Sequence, residues 1–108
     1  MKQASAWLMA AALFGTLAAA QPAQAADELK LATARNCMTC HTIERRVVGP
    51  SYKSIAQKYR SDPAAVDKLA PLIRAGGSGS FGAVPMPASP QVSDAEARRL
   101  AAWILNLK

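Results

Sequence analysis

The 108-residue sequence contains only two cysteines and a single histidine. Two cysteines allow at most one disulfide, which excludes a disulfide-rich scaffold. A structural zinc site usually takes four sulfur or nitrogen ligands, and these three residues have no second pair to complete it. There is no internal repeat and, beyond the N-terminus, no second long apolar run. With these classes excluded, the sequence predicts one small domain whose functional residues lie around its two cysteines.

The one long apolar run extends from Ala4 to Ala20 and follows the basic residue Lys2. It is succeeded by Ala23-Gln24-Ala25, whose small residues are typical of a signal-peptidase site. An uncleaved membrane anchor is the alternative, but the run is shorter than the ~20 residues that a spanning helix needs. We therefore predict a cleaved signal peptide over residues 1–25 and an exported domain over residues 26–108, without stable membrane insertion.

The chain is basic, with 13 lysines and arginines against 7 acidic residues and a net charge of +6. Removal of Lys2 with the signal peptide would leave +5, because all acidic residues follow residue 25. The remaining basic residues are scattered and form no long block, so nucleic-acid binding is not indicated. This balance favours partners with acidic surfaces.

Four segments are predicted to be helical, and no segment of the sequence is a convincing strand. The first runs from Asp27 to about residue 36, and the second follows Ser51 as its cap. The third starts at Asp62, is expected to kink at Pro71 and stops at residues 76–77. The fourth follows Ser93, which begins a capping box ahead of an apolar stripe. The chain is therefore predicted to be all-α.

Residues 76–92 hold four of the six glycines and three of the seven prolines. Taken alone, this composition is typical of a flexible linker. The helix that follows is too short to form a domain and must pack against the first three helices. We therefore expect the segment to fold back over another part of the domain.

The motif Cys37-Met38-Thr39-Cys40-His41 has the C-x-x-C-H pattern of covalent haem attachment. On a helical turn both thiols lie on one side, where they can form thioethers with the two haem vinyl groups, and the adjacent imidazole can reach the iron. A thioredoxin-like dithiol would need a βαβ setting, and a plain disulfide would leave the domain without a large core group. One haem c bound through Cys37 and Cys40 is predicted, and bacterial haem attachment after export indicates the periplasm.

The sixth iron ligand is predicted by elimination. No second histidine exists, two of the four methionines lie in the predicted signal peptide, and Met38 is held between the cysteines. Only Met86 remains as a sulfur donor. The prolines on both sides restrict the backbone beforehand, so less conformational entropy is lost when Met86 binds the iron. A lysine or an open position remains the alternative.

The sequence resembles the small bacterial class I cytochromes c of the cytochrome c-551/c-552 type. The resemblance rests on C-M-T-C-H, V-V-G-P, G-G-S-G-S-F-G-A-V-P-M-P and V-S-D-A-E-A-R-R-L-A-A-W-I-L-N-L-K, in that order. It implies a class I cytochrome c fold of four to five short helices around one haem, with His41 as proximal and Met86 as distal ligand. It also implies that the carbonyl of Pro50 accepts a hydrogen bond from the other ring nitrogen of His41.

Three positions depart from the family's usual residues. Phe81 stands where many members have a tryptophan that donates to a haem propionate. Asn36 replaces a glycine before the first cysteine, and Ala32 replaces an aromatic residue that packs against the last helix. None of these positions is an iron ligand.

The function expected from these parts is that of a periplasmic carrier of single electrons, not an enzyme. A thioether ligand and a dry pocket both favour ferrous iron, so we expect a positive reduction potential. The pocket is predicted to comprise Leu31, Ile55, Tyr59, Leu69, Ile73, Val84, Leu100 and Trp103. The alternatives are a haem sensor or peroxidase-like enzyme with a labile sixth ligand, and a subunit of a larger respiratory or sulfur-oxidising complex.

Contact with redox partners of the periplasm or inner membrane is expected at an exposed haem edge. The predicted contact patch is apolar and basic, and the protein is expected to be a monomer. The patch comprises Met38, Val47, Val48 and the residues around Pro87, with Arg45 and Arg46 at its rim. Such a small interface suits a shuttle, which must dissociate as readily as it binds.

Overall fold

The structure is a computed structural model that describes residues 12, 15 and 22–108. The predicted signal peptide therefore lies largely outside the described residues. The described elements, in chain order, are α1 (Pro22–Ala34), a 3₁₀ turn (Cys37–Thr39), α2 (Tyr52–Tyr59), α3 (Ala65–Ala75), β1 (Gly77–Gly79), β2 (Gly82–Met86) and α4 (Asp94–Leu105). The prediction of a four-helix, mainly α-helical fold is confirmed. None of the helices in the described part of the chain is both long and apolar enough to span a membrane.

Serine caps fix the starts of α2 and α4, as predicted. The Ser51 hydroxyl accepts a hydrogen bond from the Ser54 amide at 3.1 Å. At α4, the Ser93 hydroxyl accepts from the Glu96 amide at 3.1 Å, while the Glu96 carboxylate accepts from the Ser93 amide at 3.0 Å. Each bond satisfies an amide that has no partner within its helix, so both helices begin at one defined residue.

The predicted bounds of the other two helices are partly wrong. Helix α1 begins at Pro22, five residues before Asp27, and ends at Ala34. Helix α3 begins at Ala65 because the Asp62 carboxylate accepts from the Ala64 amide at 2.8 Å and closes a turn ahead of the helix. The proline at position 71 lies inside α3, which continues to Ala75.

Residues 77–86 form an antiparallel hairpin, which the sequence analysis missed. Gly77 pairs with Met86 and Gly79 pairs with Gly82 across its two strands. Glycine has low strand propensity, and the segment lacks the alternation of apolar and polar residues by which a half-buried strand is recognised. Gly79 and Gly82 have φ angles of 104° and 119°, which only glycine adopts readily.

Helix α4 contacts the other three helices and supplies residues to both clusters of the core. The first cluster consists of Ala32, Ala70, Val92, Ala97 and Leu100. The second consists of Tyr52, Ile55, Leu69, Ala101 and Ile104. Two ion pairs also hold α4: Arg99 pairs with Glu28 of α1 at 2.6 Å, and Glu96 pairs at 2.7 Å with Arg35, the residue after α1. The helices thus form a scaffold whose contacts come from their own side chains.

Candidate functional site

An apolar cavity lies between this scaffold and two non-helical segments, residues 40–50 and the hairpin. Its volume is about 1140 Å³ with the mouth included. The lining includes Cys37, Cys40, His41 and Met86, so the structure brings all four predicted haem-contacting side chains to one space. The segment rich in glycine and proline is wrapped over this cavity.

Most of the predicted pocket residues line the cavity. These are Ile55, Tyr59, Leu69, Ile73, Val84 and Leu100. Leu31 and Trp103 are outside the lining, so the prediction was wrong for them. Leu31 packs against the first core cluster, and the Trp103 ring meets Tyr52 edge-on with 5.5 Å between ring centroids. Periodicity in the sequence indicates that a side chain is buried, but it does not tell whether the side chain faces the cavity or the core between the helices.

The two cysteines lie at either end of a tight turn. The amides of Cys40 and His41 both donate to the Cys37 carbonyl, at 3.2 Å and 3.1 Å. Asn36 precedes this turn with φ 65° and ψ 17°, a left-handed conformation that asparagine tolerates better than most residues and glycine adopts freely. Its presence where a glycine is usual therefore preserves the backbone path.

Both thiols are free and partly buried in the structure. Burial raises the pKa of the Cys37 thiol, and a hydrogen bond with Tyr52 opposes this effect. Burial also raises the pKa of the Tyr52 hydroxyl. The described residues contain no group of three or more histidine, cysteine or acidic side chains able to hold a metal ion.

His41 is 7% exposed and its ring has one fixed orientation. Its Nδ1 lies 2.7 Å from the carbonyl oxygen of Pro50, the contact that the family resemblance implies. Because a carbonyl oxygen only accepts, Nδ1 carries the hydrogen, and the Nε2 lone pair remains available to a metal. The ring also stacks on Tyr52, with 5.2 Å between centroids and 25° between planes.

Gly49 lies directly against the His41 ring, and sequence reasoning missed its role. A Cβ at this position would come within 2.5 Å of Cε1 and 2.9 Å of Nδ1. The amide of Gly49 also donates to the Cys40 carbonyl at 2.8 Å, which ties the segment to the cysteine turn. Its signal in the sequence was its place immediately before Pro50, the residue whose carbonyl orients the imidazole.

Met86 ends β2 and is half-buried in the cavity wall. Gly76, the last residue before the hairpin, approaches its backbone closely. A Cβ at Gly76 would come within 2.3 Å of the Met86 carbonyl oxygen and 2.8 Å of the Ala88 amide nitrogen, and its φ is 72°. The sequence predicted Gly76 as a helix stop but not as the residue that places the methionine segment.

The exposed apolar side chains beside the cavity differ from the predicted patch. Val47 and Val48 are exposed by 53% and 52%, as expected, and Val84 is exposed by 60%. Met38 was predicted to belong to the patch, but it is half-buried and packs against both core clusters. The cysteine turn directs this side chain towards the helices. Pro87, which was also predicted to belong to the patch, is exposed and lines the cavity, as does Leu72.

These observations fit one covalently bound haem. A cavity with an apolar lining holds two free thiols on one turn, an imidazole with an unshared Nε2 pair and a thioether from another segment. Cofactor sites are typically large, mostly apolar and supplied with a few placed polar groups. The residues present can therefore form thioethers and offer nitrogen and sulfur donors to an iron.

Comparison with known proteins gives the same result. The family model for cytochrome c matches residues 25–108. Cytochrome c-551 of Allochromatium vinosum is 46% identical over 86 residues, which cover 80% of this chain and 90% of that protein. Cytochrome c-552 of Nitrosomonas europaea is 45% identical over 104 residues, covering 96% and 98% of the two chains.

Solved structures extend the likeness to the fold. The crystal structure of wild-type Nitrosomonas europaea cytochrome c552 superposes with a TM-score of 0.72 at 49% identity, and the match covers 74% of this chain and 99% of that one. The class 1 cytochrome MtoD from Sideroxydans lithotrophicus ES-1 gives a TM-score of 0.66 at 32% identity, covering 82% and 98%. With its C-x-x-C-H turn opening onto an apolar cavity, the chain belongs to the cytochrome c family and carries one covalent haem c.

Proposed function

We propose that this cytochrome c is a periplasmic electron carrier, not an enzyme, with His41 and Met86 as the axial ligands of its iron. The observation that carries the proposal is the shared cavity lining, in which the two thiols and the imidazole of one turn meet the thioether of a distant segment. When bound, the haem supplies one-electron chemistry at its iron. The chain's part is to hold the donors, exclude water and offer a surface to redox proteins of the respiratory chain.

His41 is suited to be the proximal ligand because it is held on two sides. The Pro50 carbonyl fixes the tautomer, and Gly49 allows the backbone to lie against the ring. A hydrogen bond from Nδ1–H to a carbonyl also makes Nε2 a stronger donor. A ligand fixed in this way changes position little when the iron changes oxidation state.

Met86 is suited to be the distal ligand because its backbone is restrained. It pairs with Gly77 across the hairpin and is flanked by two prolines. The soft thioether favours ferrous iron, and the apolar lining disfavours the additional charge of ferric iron. Both effects support a positive reduction potential, and a midpoint well below zero would contradict the proposal.

The proposed ligation is tested by visible spectra of the purified holoprotein and of Met86→Ala. We expect c-type bands in both and, in the ferric wild type only, the weak far-red band that methionine ligation produces. Met38→Ala is the matched control, since it removes another half-buried methionine but keeps the band. A wild type that lacks the band, or whose reduced form binds carbon monoxide at neutral pH, would instead have an open or labile sixth position.

Electron transfer is proposed to occur where exposed valines border the cavity mouth. Val48 and Val84 both line the cavity and are more than half exposed, and Arg45 and Arg46 lie next to Val47. A small apolar contact with a basic rim favours brief encounters with acidic redox proteins.

This docking surface is tested by electron-transfer rates with a negatively charged partner protein. The rate should fall as salt rises, and it should fall more for Arg45→Glu than for Lys30→Glu, a matched charge reversal on α1, which does not line the cavity. Equal effects of the two reversals would argue against steering at this surface. The same sample should behave as a monomer in light scattering.

Residues 1–25 are proposed to be a signal peptide that is removed during export. Cleavage before Ala26 would shorten α1 to residues 26–34, which keeps Glu28 and its ion pair with Arg99. N-terminal sequencing of the protein from a periplasmic extract should begin at Ala26. Recovery of the full-length chain in the membrane fraction would indicate an uncleaved anchor.

A further inference from the structure

Residues 87–92, the strap, lead from Met86 to the cap of α4. The first residue of the strap lines the cavity, whereas residues 88–92 do not. At the other end, Val92 is completely buried in the first core cluster. The amide of Val92 donates to the Ser89 carbonyl at 3.1 Å, which closes this part of the strap into a turn. The strap therefore connects a proposed iron ligand to the core of the scaffold.

Arg74, in the last turn of α3, binds the strap through two different groups. Its backbone carbonyl accepts a hydrogen bond from the Ser89 amide at 2.9 Å. Its guanidinium Nε donates to the Val92 carbonyl at 3.1 Å. The last carbonyls of a helix have no partner within it, so the Ser89 amide satisfies one of them, and a cation is favourable at this end of the helix dipole. One residue thus holds the strap against α3 at two points.

Two residues further along the chain, Gly76 holds the beginning of the same segment. A Cβ at Gly76 would clash with backbone atoms of residues 86–88, so the two backbones are in close contact. Gly77 then pairs with Met86 in the hairpin. The C-terminal end of α3 therefore contacts the chain from residue 86 to residue 92. Met86 can move relative to α3 only if some of these contacts break.

We propose that Arg74 is a positioning residue for Met86: the hydrogen bond from its guanidinium to Val92 keeps the strap in place and slows dissociation of the thioether from the iron. The thioether can leave only when the segment around Met86 shifts, and a shift of the strap breaks this hydrogen bond. A segment that is already fixed also loses little conformational entropy on ligation. The proposal rests on Met86 as the sixth ligand, and it adds a residue that lies outside the cavity lining.

The test measures how fast added imidazole displaces the methionine in the ferric holoprotein, followed by the loss of the far-red band. At saturating imidazole the rate no longer rises with concentration and equals the rate at which the thioether dissociates. Arg74→Ala should raise this limiting rate by roughly tenfold, the effect expected from losing one hydrogen bond from a charged donor. Arg74→Lys, which keeps a cation that can donate to the same carbonyl, should restore most of the wild-type rate.

Arg99→Ala is the matched control. It also removes an arginine of the scaffold, but the described hydrogen bonds of Arg99 go to Glu28 of α1 and not to the strap. We expect a lower melting temperature and an unchanged limiting rate in this variant. Because both variants lose an interaction of the scaffold, a change in rate confined to Arg74→Ala is not an effect of general destabilisation.

A limiting rate that is the same in the wild type and in Arg74→Ala would overturn the positioning role. Equal acceleration in Arg74→Ala and Arg99→Ala would also overturn it, since the rate would then follow stability alone. Both results leave ligation by Met86 standing. Failure of that ligation is seen earlier, as a wild type that lacks the far-red band before any imidazole is added.

Discussion

The helical scaffold of α1 to α4 and the cavity wall of residues 40–50 and 76–87 are held by different kinds of contact. In the scaffold, Ala32, Val92 and Ala97 are completely buried and ion pairs join α4 to α1 and to the residue after α1. In the wall, backbone approaches at Gly49 and Gly76 set the geometry, and large side chains such as Val84 remain exposed. The comparison indicates that the scaffold is specified by its own packing, while the wall depends on what it encloses.

The largest effect is expected from removing the thiols that tie the wall to its cofactor. Cys37→Ala with Cys40→Ala abolishes covalent attachment and leaves a large apolar cavity in a domain of about 80 residues, a size with little stability to spare. We expect loss of a cooperative thermal transition in circular dichroism. Thr39→Ala, a change within the same turn, is the control and should melt cooperatively with haem attached. A sharp transition in the double variant would mean that the scaffold is sufficient alone.

The next largest effect is expected at Gly76. Gly76→Ala combines a left-handed φ of 72° with a clash against the Met86 carbonyl, so we expect loss of the far-red band and destabilisation by more than ~2 kcal/mol. Gly79→Ala is the matched control, because its φ is 104° but no atom lies within 4 Å of the added Cβ. It should cost about 1–2 kcal/mol from strain and retain the band. Equal spectra for the two variants would show that Gly76 does not place the methionine.

A change inside the scaffold should separate stability from ligation. Val92 is completely buried and is outside the cavity lining. Val92→Ala removes two buried methyl-sized groups and should cost about 2 kcal/mol in chemical denaturation. The spectrum and midpoint potential should stay those of the wild type. A shifted potential would show that the two regions are coupled more tightly than their contacts indicate.

The smallest effect concerns the acid stability of the scaffold. The hydrogen bond from Arg35 and that from the Ser93 amide lower the pKa of the Glu96 carboxyl. Because the folded-state pKa lies below the unfolded one, the stabilisation is present above the unfolded pKa and is lost as pH falls through the folded pKa. Melting temperatures of Glu96→Gln should therefore decrease less steeply in acid than those of the wild type. Asp27→Asn, at an acid without a described ion pair, should leave the slope unchanged.

The scaffold was predictable from sequence to the extent that side chains mark its ends and faces. Ser51 and Ser93 predicted the starts of α2 and α4 because a capping hydroxyl has one local partner. The start of α1 at Pro22 was missed, since no change in pattern separates it from the residues that follow. The bounds of α3 were shifted because Asp62 caps a turn as readily as a helix.

The cavity wall was predictable only through its chemistry. The C-x-x-C-H spacing and the elimination of other donors indicated His41 and Met86, and both line the cavity. The hairpin was missed because glycine gives no periodic signal. Gly49 and Gly76 were missed as site residues, since their importance lies in atoms brought near by tertiary structure. A glycine's role in a site is visible only when its neighbours in space are known.

The way the hairpin is held has a consequence for how such a protein can diversify. Its position depends on backbone pairing and on the approach of Gly76, while Ala83 is exposed and lies outside the cavity lining. A substitution at Ala83 alters the outer face of the hairpin without altering the backbone path that leads to Met86. The surface offered to a partner and the position of the methionine can therefore change independently in evolution, because they lie on opposite sides of the hairpin.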